Sequence, residues 1–223
     1  MVRGCCAGLV VLLLLVTAAL VLLVRLTAAP DLGATPSGPD DGASPLAIGA
    51  SLALQVGDQL AQPGATGAAV VVSEQDLSTL AAEDNPDPRT LAGLQVRARG
   101  DQLWVSADSH LGPLAVVVTA RLSLGFQPGS PVTASIGEIW VGDQQIPGFL
   151  TSAVDPRADA TFSLTPLLTG SELSQFGLEC VTVVASRGVE LGFHEPRASV
   201  STGYCAAHPP TPDAGQPSSS GSG

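Results

Sequence analysis

Lysine is absent from this chain of 223 residues, and all nine cations other than histidine are arginines. Together with abundant alanine, glycine and proline, that absence reads as coding bias rather than mechanism. Positive charge is scarce altogether: nine arginines stand against twenty acids, for a formal net charge of -11. A surface of that sign repels phosphate backbones and anionic headgroups, which argues against nucleic-acid binding and against electrostatic docking on lipid. Its simplest consequence is a soluble domain. Histidine is rare too, with only His110, His194 and His208, none in a metal-ligand spacing with another His or Cys. Zinc needs about four such ligands, so no metal or other cofactor is expected. No G-x-S-x-G elbow, phosphate-binding glycine loop or dinucleotide fingerprint occurs. Carboxylates such as Glu138, Asp143 and Glu190 are scattered over turns and polar faces, without a partner base nearby in sequence. Nothing points to an enzyme.

What is abundant is apolar sequence, and it is concentrated at the amino end. Residues 5–24 carry no charge and are bounded by Arg3 and Arg25. Twenty residues at ~1.5 Å each match a hydrocarbon core of ~30 Å. A cleaved signal peptide is the rival reading, but its apolar region is normally only ~7–15 residues, and Pro30 would follow the cut. The sequence therefore divides into a cytoplasmic stub at 1–4, a transmembrane signal anchor at 5–26 and a flexible linker at 27–45. An extracytoplasmic domain at 46–205 and a disordered tail at 206–223 follow. Arg3 and the amino terminus bias the amino end inwards and the domain outwards, a single-pass arrangement in the cytoplasmic membrane. The Pro/Gly/Ser/Asp linker reaches ~20–25 Å as a coil, which keeps the domain near the bilayer.

Within the domain, residues 46–62 place Leu46, Gly49 or Ala50, Ala53, Val56 and Leu60 near one helical face, stopped by Pro63-Gly64. A short apolar strand at 68–72 leads into Ser73-Glu74-Gln75-Asp76, close to a capping box, so a second helix should run from Ser73 to about Ala82 and bury Leu77 and Leu80. The loop Glu83-Asp84-Asn85-Pro86-Asp87-Pro88 is rich in oxygen ligands but lacks the spacing of a calcium loop, and reads as a proline-punctuated turn.

Residues 94–141 then read as consecutive antiparallel strands. Gly100-Asp101 turns a hairpin between 94–99 and 102–110. In the long strand the even positions from Leu114 to Leu124 are apolar, whereas the odd positions end in Thr119, Arg121 and Ser123, so one face belongs to a core and the other to water. The following strand changes phase across Gly137, which predicts a β-bulge there. That shift puts Trp140 on the polar face, as Trp104 is on its own strand. Either a helix packs over the two tryptophans or they contact the bilayer interface or a ligand mouth. Residues 146–150 begin a further helical piece, and 176–186 and 189–195 form a hairpin turned by Arg187-Gly188. In an exported domain Cys180 and Cys205 form the natural disulfide, worth on the order of 3–4 kcal/mol in the chain-entropy model; the other possibility is two unrelated thiols.

The order of these parts is similar to a known group. The entry V-S-E-Q-D-L at 72–77, the hairpin R-G-D-Q-L-W-V-S-A at 99–107, the Leu-Gly turn and long apolar strand, and the exit G-x-x-W-V-G-D-x-x-I-P at 137–147 resemble the YpmS-like family of bacterial envelope proteins, related to the LmeA-like proteins. The likeness covers roughly residues 70–195. Ser78 stands where such proteins often carry Asn, and the extension holding Cys205 has no counterpart there. The resemblance implies an α+β half-module of the TULIP type. In such a module a strongly curved antiparallel sheet of about five to seven strands wraps two or three helices, leaving an apolar groove for a lipid chain. Val116, Val118, Leu122, Leu124 and Ile136 would line that groove, although an apolar strand face also serves as ordinary core. The expected function is non-catalytic binding of a lipid or other apolar ligand at the cell envelope. The alternative is an envelope assembly module with a closed core, using Trp104 and Trp140 for contact.

Overall fold

The computed structural model describes residues 44–85, 87–127, 132–147, 167–168 and 172–194, together with Val21, Val24, Arg25, Thr27 and Ala28. The segment from 148 to 166, which includes most of the expected third helical piece, and the stretch beyond 194 with Cys205 lie outside the described residues.

Helix α1 (Pro45–Leu60) starts one residue before the apolar periodicity does. Ser44 caps it, accepting from the Ala47 amide at 3.2 Å, and Pro45 occupies the first turn, where its missing N–H costs nothing. Its buried face is Ile48, Gly49, Leu52, Ala53 and Val56. Leu46, expected inside, is 68% exposed, because a face through Ile48 and Leu52 turns it to the outer side.

Strand β1 (Ala68–Ser73) alternates strictly, burying Ala68, Val70 and Val72. Ser73 ends it and caps helix α2 (Glu74–Glu83) through a complete capping box, Ser73 Oγ accepting from the Asp76 amide at 3.1 Å while the Ser73 amide donates to Asp76 Oδ2 at 3.4 Å. Leu77 and Leu80 are buried as their spacing requires. In the loop that follows, the Asn85 side chain bonds the Leu91 carbonyl at 2.6 Å and accepts from the Asp87 amide at 3.1 Å, which is turn architecture.

Eight strands in all are described: after β1 come β2 (Ala92–Arg99), β3 (Gln102–Leu111), β4 (Leu114–Gly125), β5 (Thr133–Val141), β6 (Gln144–Gln145), β7 (Gly177–Val184) and β8 (Gly188–His194). They form not one curved sheet but two antiparallel ones, a three-stranded sheet ordered β1-β8-β7 and a five-stranded sheet ordered β2-β3-β4-β5-β6. This corrects the expectation of a single sheet, and the cause lies at the outer edge of β2. There the amide of Val96 donates to Ser78 Oγ at 2.9 Å and that of Ala98 to Glu74 Oε1 at 2.7 Å. Side chains of α2 thus take the hydrogen bonds that another strand would need, and the ladder stops. One backbone bond crosses the gap, from the Ser186 amide to the Ala98 carbonyl at 2.9 Å.

Both sheets and both helices nevertheless share one core. Ile48, Leu52 and Val56 of α1, Leu77 and Leu80 of α2, Val70, Leu191 and Phe193 of the smaller sheet, and Val96, Leu103 and Leu122 of the larger sheet belong to one cluster. Burial of side chains this size stabilises by about 1.5–3 kcal/mol each. The class is α+β, as expected. Gly188 joins the smaller sheet to the core at close quarters: its φ is 130°, and a Cβ there would collide with the Val72 carbonyl.

Candidate functional site on the five-stranded sheet

Residues opposite one another in an antiparallel pair share a face, so the register fixes what each side of the larger sheet presents. On the inner face, Leu103 lies opposite Leu122 and Leu122 opposite Ile136; one strand end further, Ala107 lies opposite Val118 and Val118 opposite Val141. The five residues expected to line a groove therefore do sit on one face, but they divide into two groups. Leu122 is in the core, and Leu124 and Ile136 pack against it. Val116 is buried and Val118 half-buried, yet neither belongs to that cluster among the described residues, nor do their neighbours Ala107, Ile139 and Val141. The apolar face is longer than the core that α1 and α2 fill.

The outer face is organised by Gly137. The register shifts between Arg121 and Leu122, so that Ile136 opposes Leu122 while Glu138 opposes Arg121, with Gly137 as the extra residue. The bulge expected at Gly137 is present, and its effect is to turn Glu138 and Trp140 outwards and Ile139 inwards. One outward row then reads Arg97, Trp104, Arg121, Glu138 and the next Gln95, Ser106, Thr119, Trp140, Gln145. Trp104 and Trp140 are diagonal neighbours across β4 and stack with ring centroids 4.9 Å apart and planes 25° from parallel.

Neither earlier reading of the tryptophans foresaw this. Each ring packs on the other, and both remain half-buried. The stack also corrects the expectation for Thr119, which was assigned to water. It is fully buried (0% exposed), and its hydroxyl finds no hydrogen-bond partner. The bulky indoles on either side of this short residue exclude solvent from it. Nothing in the alternation of β4 could have indicated this, because the covering groups come from β3 and β5.

Three opposite-charge pairs stand out among the described residues. Arg121 meets Glu138 at 2.9 Å, a contact that parity counting across the bulge would have found. Arg97 approaches Glu74 at 3.6 Å with both side chains largely buried, and the other oxygen of Glu74 holds the Ala98 amide. That carboxylate thus ties helix α2 to the edge of β2 through both of its oxygens. Glu190 lies on the central strand β8 between Val71 and Thr182. Among the described residues no three His, Cys, Asp or Glu side chains gather as a metal site.

A third contact joins the sheet to the amino-terminal region. The two-residue turn Gly142-Asp143 between β5 and β6 touches Arg25: the Asp143 amide donates to the Arg25 carbonyl at 3.1 Å, and the side chains pair at 4.0 Å. Val21, Val24, Arg25 and Thr27 are helical, with the Ala28 amide bonded to the Val24 carbonyl at 3.0 Å. Among the described residues no helix is long and apolar enough to cross a membrane; most of residues 5–26, where the anchor is expected, lies outside them. Cys180, on β7, is disulfide-bonded. Comparison with family models, with curated proteins and with solved structures finds no match to this chain.

Proposed function

We propose that this chain is a membrane-anchored, non-catalytic binding protein of the bacterial cell envelope, related to the YpmS-like and LmeA-like proteins, that holds a lipid or another apolar ligand. The domain sits on the outer side of the cytoplasmic membrane, with the amino terminus inside. One observation carries the reading: the apolar inner face of the five-stranded sheet continues past the core, through Ala107, Val116, Val118, Ile139 and Val141. Ala107 and Val116 are buried there while Val118, Ile139 and Val141 are half-buried, and an acyl chain lying along the strands would cover the apolar surface that these three leave exposed. Support also comes from the uncharged run at residues 5–24 and from the paired, structurally occupied state of the buried carboxylate Glu74.

The test is lipid extraction and mass spectrometry on residues 46–208, produced in an oxidising compartment and purified without detergent. A stoichiometric lipid is expected. Val118→Trp, which adds bulk to the inner face of β4 where the chain would lie, should lower its occupancy severalfold while leaving the circular dichroism of the domain unchanged. A stable domain carrying no lipid would refute the binding role and favour an assembly module with a closed core.

A further inference from the structure

We infer that the tip of the β3–β4 hairpin is a membrane-contact element, seated in the headgroup layer of the bilayer by a latch between Arg25 and Asp143. The inference rests on the reading of residues 5–24 as a membrane anchor, and names the surface through which the domain meets that membrane.

The argument begins with where the anchor ends. Arg25 is the first charged residue after the apolar run, so its backbone belongs at the boundary of the hydrocarbon. The Asp143 amide and carboxylate both engage Arg25, which brings the β5–β6 turn to that boundary. Register then fixes what else is there. The Gly142 amide bonds the Val117 carbonyl at 2.8 Å, so this turn is level with Val117. Strand β4 starts three residues earlier, at Leu114, and the hairpin turn is Gly112-Pro113. At ~3.3 Å per residue, the tip projects up to ~16 Å beyond the level of the latch. A headgroup layer is only ~5–8 Å thick, so strands that run from the latch towards the bilayer carry the tip into lipid.

The composition of the tip fits that location. From Ser109 to Val118 the sequence is SHLGPLAVVV, with no carboxylate and no arginine, in a chain whose net charge is -11. His110, Gly112, Pro113 and Ala115 are exposed, and Leu114 and Val117 half-buried. An acidic tip would be repelled by anionic headgroups; here the nearest carboxylates, Asp108 and Asp143, stand at the level of the latch and not at the tip. At the opposite end of the same strands, the β2–β3 turn carries Arg99 and Asp101, both exposed, as befits a turn facing water.

The latch itself is weak, an exposed pair with side chains 59% and 40% accessible. Its effect depends on tethering: the domain cannot leave, and an intramolecular contact is formed at an effective concentration in the millimolar range.

The experiment uses the full chain with Cys5→Ser and Cys6→Ser, reconstituted in nanodiscs of phosphatidylcholine and phosphatidylglycerol doped with a headgroup-nitroxide lipid. A fluorophore is placed at Ala115→Cys or, as the control at the far end of the sheet, at Asp101→Cys. The expected result is strong nitroxide quenching at 115 and at least roughly twofold less at 101, because the strands separate the two sites by more than the headgroup thickness. Asp143→Arg should lower quenching at 115 roughly two- to fivefold, and Arg25→Glu combined with Asp143→Arg should restore it. The circular dichroism of the Trp104–Trp140 stack checks that each variant keeps its sheet. Equal quenching at the two sites, or none at 115 in a chain that co-floats with liposomes and resists carbonate extraction, would overturn the seating. A chain that carbonate releases would overturn the anchor reading and this inference together.

Discussion

At the scale of single residues, the most informative side chain is Thr119. It was expected outside, it is fully inside, and its hydroxyl is unpartnered. A buried hydroxyl without a hydrogen bond costs about 1–3 kcal/mol relative to an apolar isostere. Thr119→Val is therefore expected to stabilise the domain by about 1–2 kcal/mol, read as a higher urea midpoint at unchanged slope. A loss of stability would show that the hydroxyl has a partner. The same residue marks a boundary of sequence reasoning. Alternation along β4 assigns each side chain to a face, but whether a face is wet depends on side chains from the adjacent strands. Arg25 and Asp143 are similar: no local pattern relates a residue at the end of an apolar run to a turn far along the chain.

At the scale of elements, local chemistry was legible and tertiary closure was not. The capping box at Ser73, the bulge at Gly137 and the turn at Gly100-Asp101 depend on residues within a few positions of one another, so the sequence carries them openly. The last hairpin, by contrast, turns at 185–187 and not at Arg187-Gly188, because Gly188 already pairs with Val184 and Ser73. The division into two sheets depends on Ser78 and Glu74 reaching the edge of β2, which no periodicity encodes. The short hydroxyl of Ser78 accepts from the Val96 amide at 2.9 Å while donating to the Glu74 carbonyl at 2.7 Å. Ser78→Ala leaves a buried amide unsatisfied and should cost about 1–3 kcal/mol. Ser73→Ala removes a partly solvated cap and should cost about 1 kcal/mol. Chemical denaturation of the two variants checks the order, and hydrogen exchange at Val96 should accelerate only in the first. Gly188→Ala is a sharper case. With φ at 130° and the Val72 carbonyl in the path of a Cβ, it should cost more than 3 kcal/mol or prevent folding, since strand β1 must move away from β8.

At the scale of the whole molecule, the domain is a shared core with covalent and polar attachments to sequence beyond it. Cys180 is one, on the edge strand of the smaller sheet. If its partner is Cys205, as the sequence suggests, reduction should lower stability by about 3–4 kcal/mol, and Cys205→Ser should reproduce the loss while Cys5→Ser and Cys6→Ser do not. Peptide mapping under non-reducing conditions identifies the pair directly. Acid sensitivity offers a second whole-molecule measurement. The hydrogen bond from Thr90 holds the Asp87 carboxyl below the usual carboxylate range. A depressed folded pKa contributes stability above the unfolded value that is lost as pH falls through the folded one, so the 87–91 turn should loosen only on acidification. Asp87 is fully exposed, so the change should appear in the Thr90 amide resonance and leave the global midpoint nearly unmoved.

The sealed edge of β2 also bears on how the chain survives its own synthesis. A polypeptide leaves the ribosome unfolded, at high local density, beside other copies in the same condition. Strand β2 is then a ready template for a neighbour's strand until α2 closes over it. Because α2 precedes β2 in the chain, its two capturing side chains arrive first, and the strand meets its guard as it emerges. Ser78 and Glu74 would thereby guard the edge against a neighbour's strand, and a variant lacking both should aggregate during refolding at a stability that would otherwise suffice.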